Sequence, residues 1–97
     1  MTIRTTPFDP ARYFDTPESQ AELLSDAFET GDASYIADAL GIVARAKGMT
    51  QIAREAGVTR EALYKTLSAK GDPKLTTLLG VLKALGVQLA VTPKHAA

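Results

Sequence analysis

Residues 49–67 read MTQIAREAGVTREALYKTL. A helical run stops at Gly57 and restarts at Thr59. Glycine leaves a helix through a left-handed conformation without a Cβ clash, and threonine caps a new helix. So short a connection forces a large crossing angle, near that of a helix-turn-helix. Such a crossing needs a small residue where the backbones approach, and Ala53, four positions before Gly57, supplies it. Ile52, Val58 and Leu63 fit the apolar pins inside the corner.

The fourth helix then turns Thr59, Arg60, Glu61, Tyr64, Lys65 and Ser68 outward. These side chains suit a groove of double-stranded DNA. Arginine and lysine meet guanine edges or phosphate, and hydroxyls bond phosphate. Gln51, at the start of the preceding helix, is placed to bond a phosphate. Lys47, Arg54, Lys70 and Lys74 add charge around the motif for the DNA backbone. The plain alternative is a helical hairpin whose outer face is merely solvated.

Outward from this stretch the chain divides readily. Residues 1–15 carry Pro7 and Pro10 and read as an extended arm, with Phe8, Tyr13 and Phe14 as anchors. Residues 16–48 read as two acidic helices. The first has Thr16 as cap, Pro17 at its first position and Gly31 as stop; the second runs from the Asp32 cap to Gly48. Gly41, inside the second, costs about 1 kcal/mol against alanine, so close packing is the expected reason for it. Residues 49–68 hold the two short helices. A fifth helix over 72–86 opens at Pro73, with Leu75, Leu78, Leu79, Leu82 and Leu85 on its inner face. In residues 87–92, VQLAVT, the period changes from about 3.6 to 2, which predicts a strand. Residues 93–97 are a tail. A lone strand leaves backbone groups unpaired. Val87, Leu89 and Val91 are therefore expected to pair across a two-fold axis, or the segment with the arm near residues 3–5. The rival is addition to a partner protein's sheet.

The 97 residues suffice for one domain, and 45% are apolar, enough for a core. There is no cysteine, which excludes a disulfide framework and thiolate chemistry and suits a reducing cytoplasm. No apolar run approaches the roughly 20 residues of a membrane span, and the N-terminus lacks a secretion-signal stretch. The zero net charge hides an asymmetry. Residues 1–40 hold eight acids and two bases, net −6; residues 41–97 hold nine bases and three acids, net +6. Opposite halves suggest two different partners, against the bland reading of segregated solvated faces.

An enzyme is not expected. His95 lies in the tail, and Ser19, Ser25, Ser34 and Ser68 have no apparent base nearby. Glu22, Asp26 and Glu29 line one helix, better read as a solvated face than a metal site. No cofactor is expected. The leucines of the fifth helix span too few heptads for a coiled coil. The aromatics Phe8, Tyr13, Phe14, Phe28 and Tyr35 all lie in the acidic half, as core anchors or, where exposed, as contacts for a protein.

Residues 44–91, ARAKGMTQIAREAGVTREALYKTLSAKGDPKLTTLLGVLKALGVQLAV, closely resemble the addiction-module antidote proteins. These are antitoxins with a Cro/repressor-type helix-turn-helix, related more distantly to the antitoxins of host-inhibition modules. Residues 8–41, FDPARYFDTPESQAELLSDAFETGDASYIADALG, match the family's upstream half, and residues 44–65 are the most specific block. The resemblance implies a five-helix DNA-binding domain; with the arm and strand read above, the expected fold is all-α and lambda-repressor-like, five helices with an extended N-terminal arm and a short C-terminal β-strand. The resemblance also implies a dimer that represses its own operon at a palindromic operator, and a small basic RelE-like mRNA-cleaving toxin as partner. Gln51, Thr59, Arg60, Glu61, Tyr64 and Lys65 occupy the motif's DNA-facing positions; Ala53, Gly57, Val58 and Leu63 occupy its structural ones. Thr66 stands where an apolar pin is usual, with Leu67 next to it. The acids Asp15, Glu18, Glu22, Asp26 and Glu29 would meet the basic toxin. A stand-alone phage-type or chromosomal repressor without a toxin is the alternative, and an interaction module that has lost DNA binding is a third reading.

Overall fold

Thr16 and Ser19 start the first helix by satisfying each other. The Thr16 hydroxyl oxygen accepts the Ser19 N–H at 3.1 Å, and the Ser19 oxygen accepts the Thr16 N–H at 3.3 Å. Pro17 takes the first position, and α1 runs Pro17–Thr30 to Gly31. Asp32 accepts from the N–H groups of Ser34 and Tyr35, starting α2 at Ala33–Lys47. The other helices are α3 at Met49–Ala56, α4 at Arg60–Thr66 and α5 at Leu75–Leu85. The computed structural model describes residues 9–94. Phe8, residues 3–5 and His95, singled out above, lie outside the described residues.

Helix α2 is the centre. It packs against α1, α3 and α5 and against a 3₁₀ turn at Pro10–Tyr13. Residues 39–44 are all buried, so α2 is covered nearly all round rather than on one face. Small residues permit this. A Cβ on Gly41 would overlap the carbonyl oxygen of Leu67, at the end of α4, which accounts for a glycine inside this helix. The largest fully buried side chains are Leu40, Val43, Ile52, Leu63, Leu67 and Val81, from four helices and the cap of α4. Each contributes about 1.5–3 kcal/mol by burial.

Six expectations are corrected. Residues 9–15 are not simply an extended arm: Asp9 caps the 3₁₀ turn by accepting from the Ala11 N–H at 3.1 Å, and Ala11 is buried. Arg45 on α2 donates to the Asp9 carboxylate, Nη2 to Oδ1, at 3.0 Å. Arg45 first, then the Ala11 N–H, hold this carboxyl below the usual carboxylate range. Buried Gln20 donates to the Phe14 carbonyl at 2.8 Å. Tyr13, expected as an anchor, is 68% exposed.

Helix α4 ends at Thr66 rather than Ser68, because Leu67 turns to φ −95°, ψ 65° and buries its side chain. Helix α5 begins at Leu75 and not at Pro73. Lys74 is extended at ψ 155° and stands as the cap, just after the proline. The inner face of α5 is also rotated from the leucine stripe. Leu75 is 67% exposed and Leu79 50%, while Val81, Leu82 and Leu85 are buried. The reason lies at Gly80, where a Cβ would stand 3.3 Å from the Cα of Ala56. With so little between them α3 and α5 meet closely, so the helix turns its Gly80–Val81 side inward and leaves Leu75 and Leu79 outside.

Residues 87–92 form no strand in the single chain. After the Val87 N–H, which donates to the Leu82 carbonyl at 3.0 Å, residues 88–94 make no backbone hydrogen bond among the described residues. The alternating pattern is there, but a strand needs a second one beside it.

Candidate nucleic-acid interface

The break between α3 and α4 is built from backbone chemistry. Gly57 sits at φ 76°, ψ 28°. Its N–H donates to the Arg54 carbonyl at 3.2 Å, and the Val58 N–H to the Ala53 carbonyl at 3.0 Å. This pair of bonds is the Schellman arrangement, which closes the carbonyl end of a helix. Thr59 then opens α4, its hydroxyl oxygen accepting the Ala62 N–H at 3.1 Å. That oxygen is engaged, but the hydroxyl hydrogen is left for an outside acceptor such as a phosphate.

Of the residues assigned to the corner, Ile52, Ala53 and Leu63 are buried, Val58 is half-buried and Gly57 is exposed at the bend. Leu67 is a pin the spacing should have given. It stands four residues after Leu63, the distance at which two helical side chains share a face, and it is buried to 2%. Leu63 and Leu67 together hold the inner side of α4, which leaves Thr66 half-buried beside them.

Thr59, Arg60, Glu61, Tyr64 and Lys65 are all exposed on the outer side of α4. Arg60 and Tyr64 form a unit: the guanidinium carbon lies 5.0 Å from the ring centroid, and Nη2 donates to the Tyr64 hydroxyl at 3.3 Å. Their spacing of four already allows this contact. It limits the rotamers of Arg60 before any ligand arrives. Ser68 is half-buried and donates to the Lys65 carbonyl at 3.0 Å, so its hydrogen is spent within the turn. Gln51 is exposed, but its amide donates to the Glu55 carboxylate at 2.9 Å. Glu55, one of the three acids of residues 41–97, therefore stands within the basic surroundings and engages Gln51. Lys70 and Lys74 are exposed, and neither they nor Lys65 form an ion pair among the described residues. Arg45, by contrast, is engaged by Asp9.

The acidic set lies elsewhere. Asp15, Glu18, Glu22, Asp26 and Glu29 are all exposed. The last four are on α1, which carries no lysine or arginine. Among the described residues no group of acids or histidines is arranged to hold a metal ion. Among them, too, no helix is long and apolar enough to cross a membrane.

The family model described as "Probable addiction module antidote protein" matches residues 4–93. A protein of Haemophilus influenzae, described as "Uncharacterized protein", is 41% identical over 91 residues, 94% of each chain. No solved structure gives a significant match.

Proposed function

Because this chain belongs to the addiction module antidote family, we propose that it is the antitoxin of a type II toxin–antitoxin module. In this reading it represses its own operon through α3 and α4, which work as a helix-turn-helix. It also binds and neutralises a small, basic, RelE-like mRNA-cleaving toxin. The observation that carries the DNA half is the two-sidedness of α4. Leu63 and Leu67 hold one side in the core, and the other presents Arg60, Glu61, Tyr64 and Lys65 to solvent. A helix held this way is ready to enter a major groove, with Lys70 and Lys74 beside it for phosphates.

The protein works as a dimer in this reading. Two recognition helices must reach successive major grooves about 34 Å apart to read a palindrome. Within each copy, Arg60 meets a base edge with its guanidinium already stacked on Tyr64.

The test is operator affinity as a function of salt. Arg60→Ala is expected to cost about 1–3 kcal/mol and to relax preference at one base pair. Lys74→Ala should weaken all sequences alike and flatten the salt slope by about one. Unchanged binding in both variants would refute this placement.

A further inference from the structure

An open groove of about 670 Å³ runs between α1 and the residues that follow α5. Its α1 wall is Ala21, Leu24, Ser25, Phe28 and Glu29. Its other wall is residues 87–92 with Lys94, above Leu82. The second wall has no charge before Lys94 and no backbone hydrogen bond after the Val87 N–H among the described residues. Leu89 is exposed, and Val91 is exposed to 98%. A run of unpaired backbone with alternating apolar side chains, lying along a groove, is an edge that another strand can join.

Charge selects the occupant. Helix α1 carries Glu18, Glu22, Asp26 and Glu29 and no base. Glu29 lines the groove, while Glu22 and Asp26 stand one residue on from Ala21 and Ser25, about 100° round the helix. A second copy seated here by two-fold symmetry would bring four more acids toward these. A basic chain would meet them with opposite charge.

We infer that this groove is the toxin's seat: a strand of the basic partner adds to residues 88–92, and its cationic side chains meet Glu22, Asp26 and Glu29. The inference rests on the antitoxin reading and adds to it a location and a mode. Leu89 and Val91 supply apolar contact on one side of the added strand. Backbone pairing supplies most of the hold and is indifferent to sequence; the acidic rim supplies the choice of partner.

The probe is the product of the gene adjoining this chain's, which the antitoxin reading requires to be a small basic protein, titrated against the full-length chain. Proline is placed singly at Gln88, Leu89, Ala90 and Val91. Along a strand only alternate N–H groups face a given neighbour, so strand addition predicts losses of about tenfold at alternate positions. Two neighbouring positions should thus differ by that factor. Reversing the rim with Glu22→Lys, Asp26→Lys and Glu29→Lys together should weaken binding at least about a hundredfold at low salt. These seven positions are exposed, and unchanged melting verifies that each variant folds. Equal losses at all four proline positions, or none, would overturn strand addition; full binding by the rim variant would overturn the acidic rim as the element that selects the partner, and with it the assignment of this groove to a basic chain. A fall from dimer to monomer with partner binding intact would give the segment to a second copy and overturn the inference alone. Failure of the wild-type chain to bind the basic protein would overturn the toxin reading and the inference together, leaving the DNA reading to its own test.

Discussion

Gly41→Ala should destabilise this protein even though alanine is the better helix residue. In an unencumbered helix interior the exchange would gain about 1 kcal/mol. Here the new methyl would overlap the Leu67 carbonyl oxygen, which is backbone and belongs to the capped end of α4. A flexible side chain could move aside; this carbonyl is fixed by Leu67, whose N–H donates to Leu63 at 2.8 Å and whose side chain is in the core. Overpacking of this kind costs about 1–3 kcal/mol, and a backbone obstacle belongs at the upper end. Subtracting the propensity gain leaves a net loss of about 2 kcal/mol. For a domain of this size that lowers the melting midpoint by about 8–16 °C. Gly80→Ala is the control. It gains the same propensity and meets Ala56 at 3.3–3.5 Å, a tight contact that a few tenths of an ångström relieve. It should change stability by less than about 1 kcal/mol. Thermal and urea unfolding of the two variants, with operator affinity at a temperature where both are folded, makes the comparison. On the DNA-binding reading proposed above, Gly41→Ala should also weaken operator binding, because the displaced Leu67 carries the end of α4. A Gly41→Ala protein as stable as wild type, or a Gly80→Ala protein that suffers more, would refute this account of how α2 and α4 meet.

Gly57 is held by the opposite kind of constraint. Nothing lies within 4 Å of a Cβ added there, but its φ is 76°. Gly57→Val should therefore lose about 2 kcal/mol through backbone strain alone, and Gly57→Asn distinctly less; equal melting midpoints would contradict this. The Asp9–Arg45 pair should matter only where Asp9 is ionised. A depressed carboxyl pKa contributes stability above its unfolded value, about 3.9, and loses it as pH falls through the lower folded value. Asp9→Asn keeps a capping side chain but not the charge, so wild type should exceed it at neutral pH by at most about 1 kcal/mol. That difference should close as pH falls through the folded value of Asp9; a constant difference across the range would mean the ion pair is not its source.

The sequence determined what is settled within four or five residues of chain. The cap at Thr16 with Pro17, the stop at Gly31, the cap at Asp32, and the break from Gly57 to Thr59 all appear where the residues place them. Each depends on one residue's backbone preference and a hydrogen bond to a near neighbour, so the information is local. The exposure of Thr59, Arg60, Tyr64 and Lys65 was legible for the same reason, since it follows from where α4 starts. What tertiary structure decided is rotation and pairing. Counting leucines put Leu75 and Leu79 inside α5, but Gly80 against Ala56 turned them out. A small residue says that something comes close without saying from which side. The tie between Asp9 and Arg45 spans 36 residues and has no local signal. Residues 87–92 carry a strand's alternation in the sequence, yet a strand is a relation between two segments. Side-chain period fixes which residues share a face; only a neighbouring backbone can turn that period into a sheet.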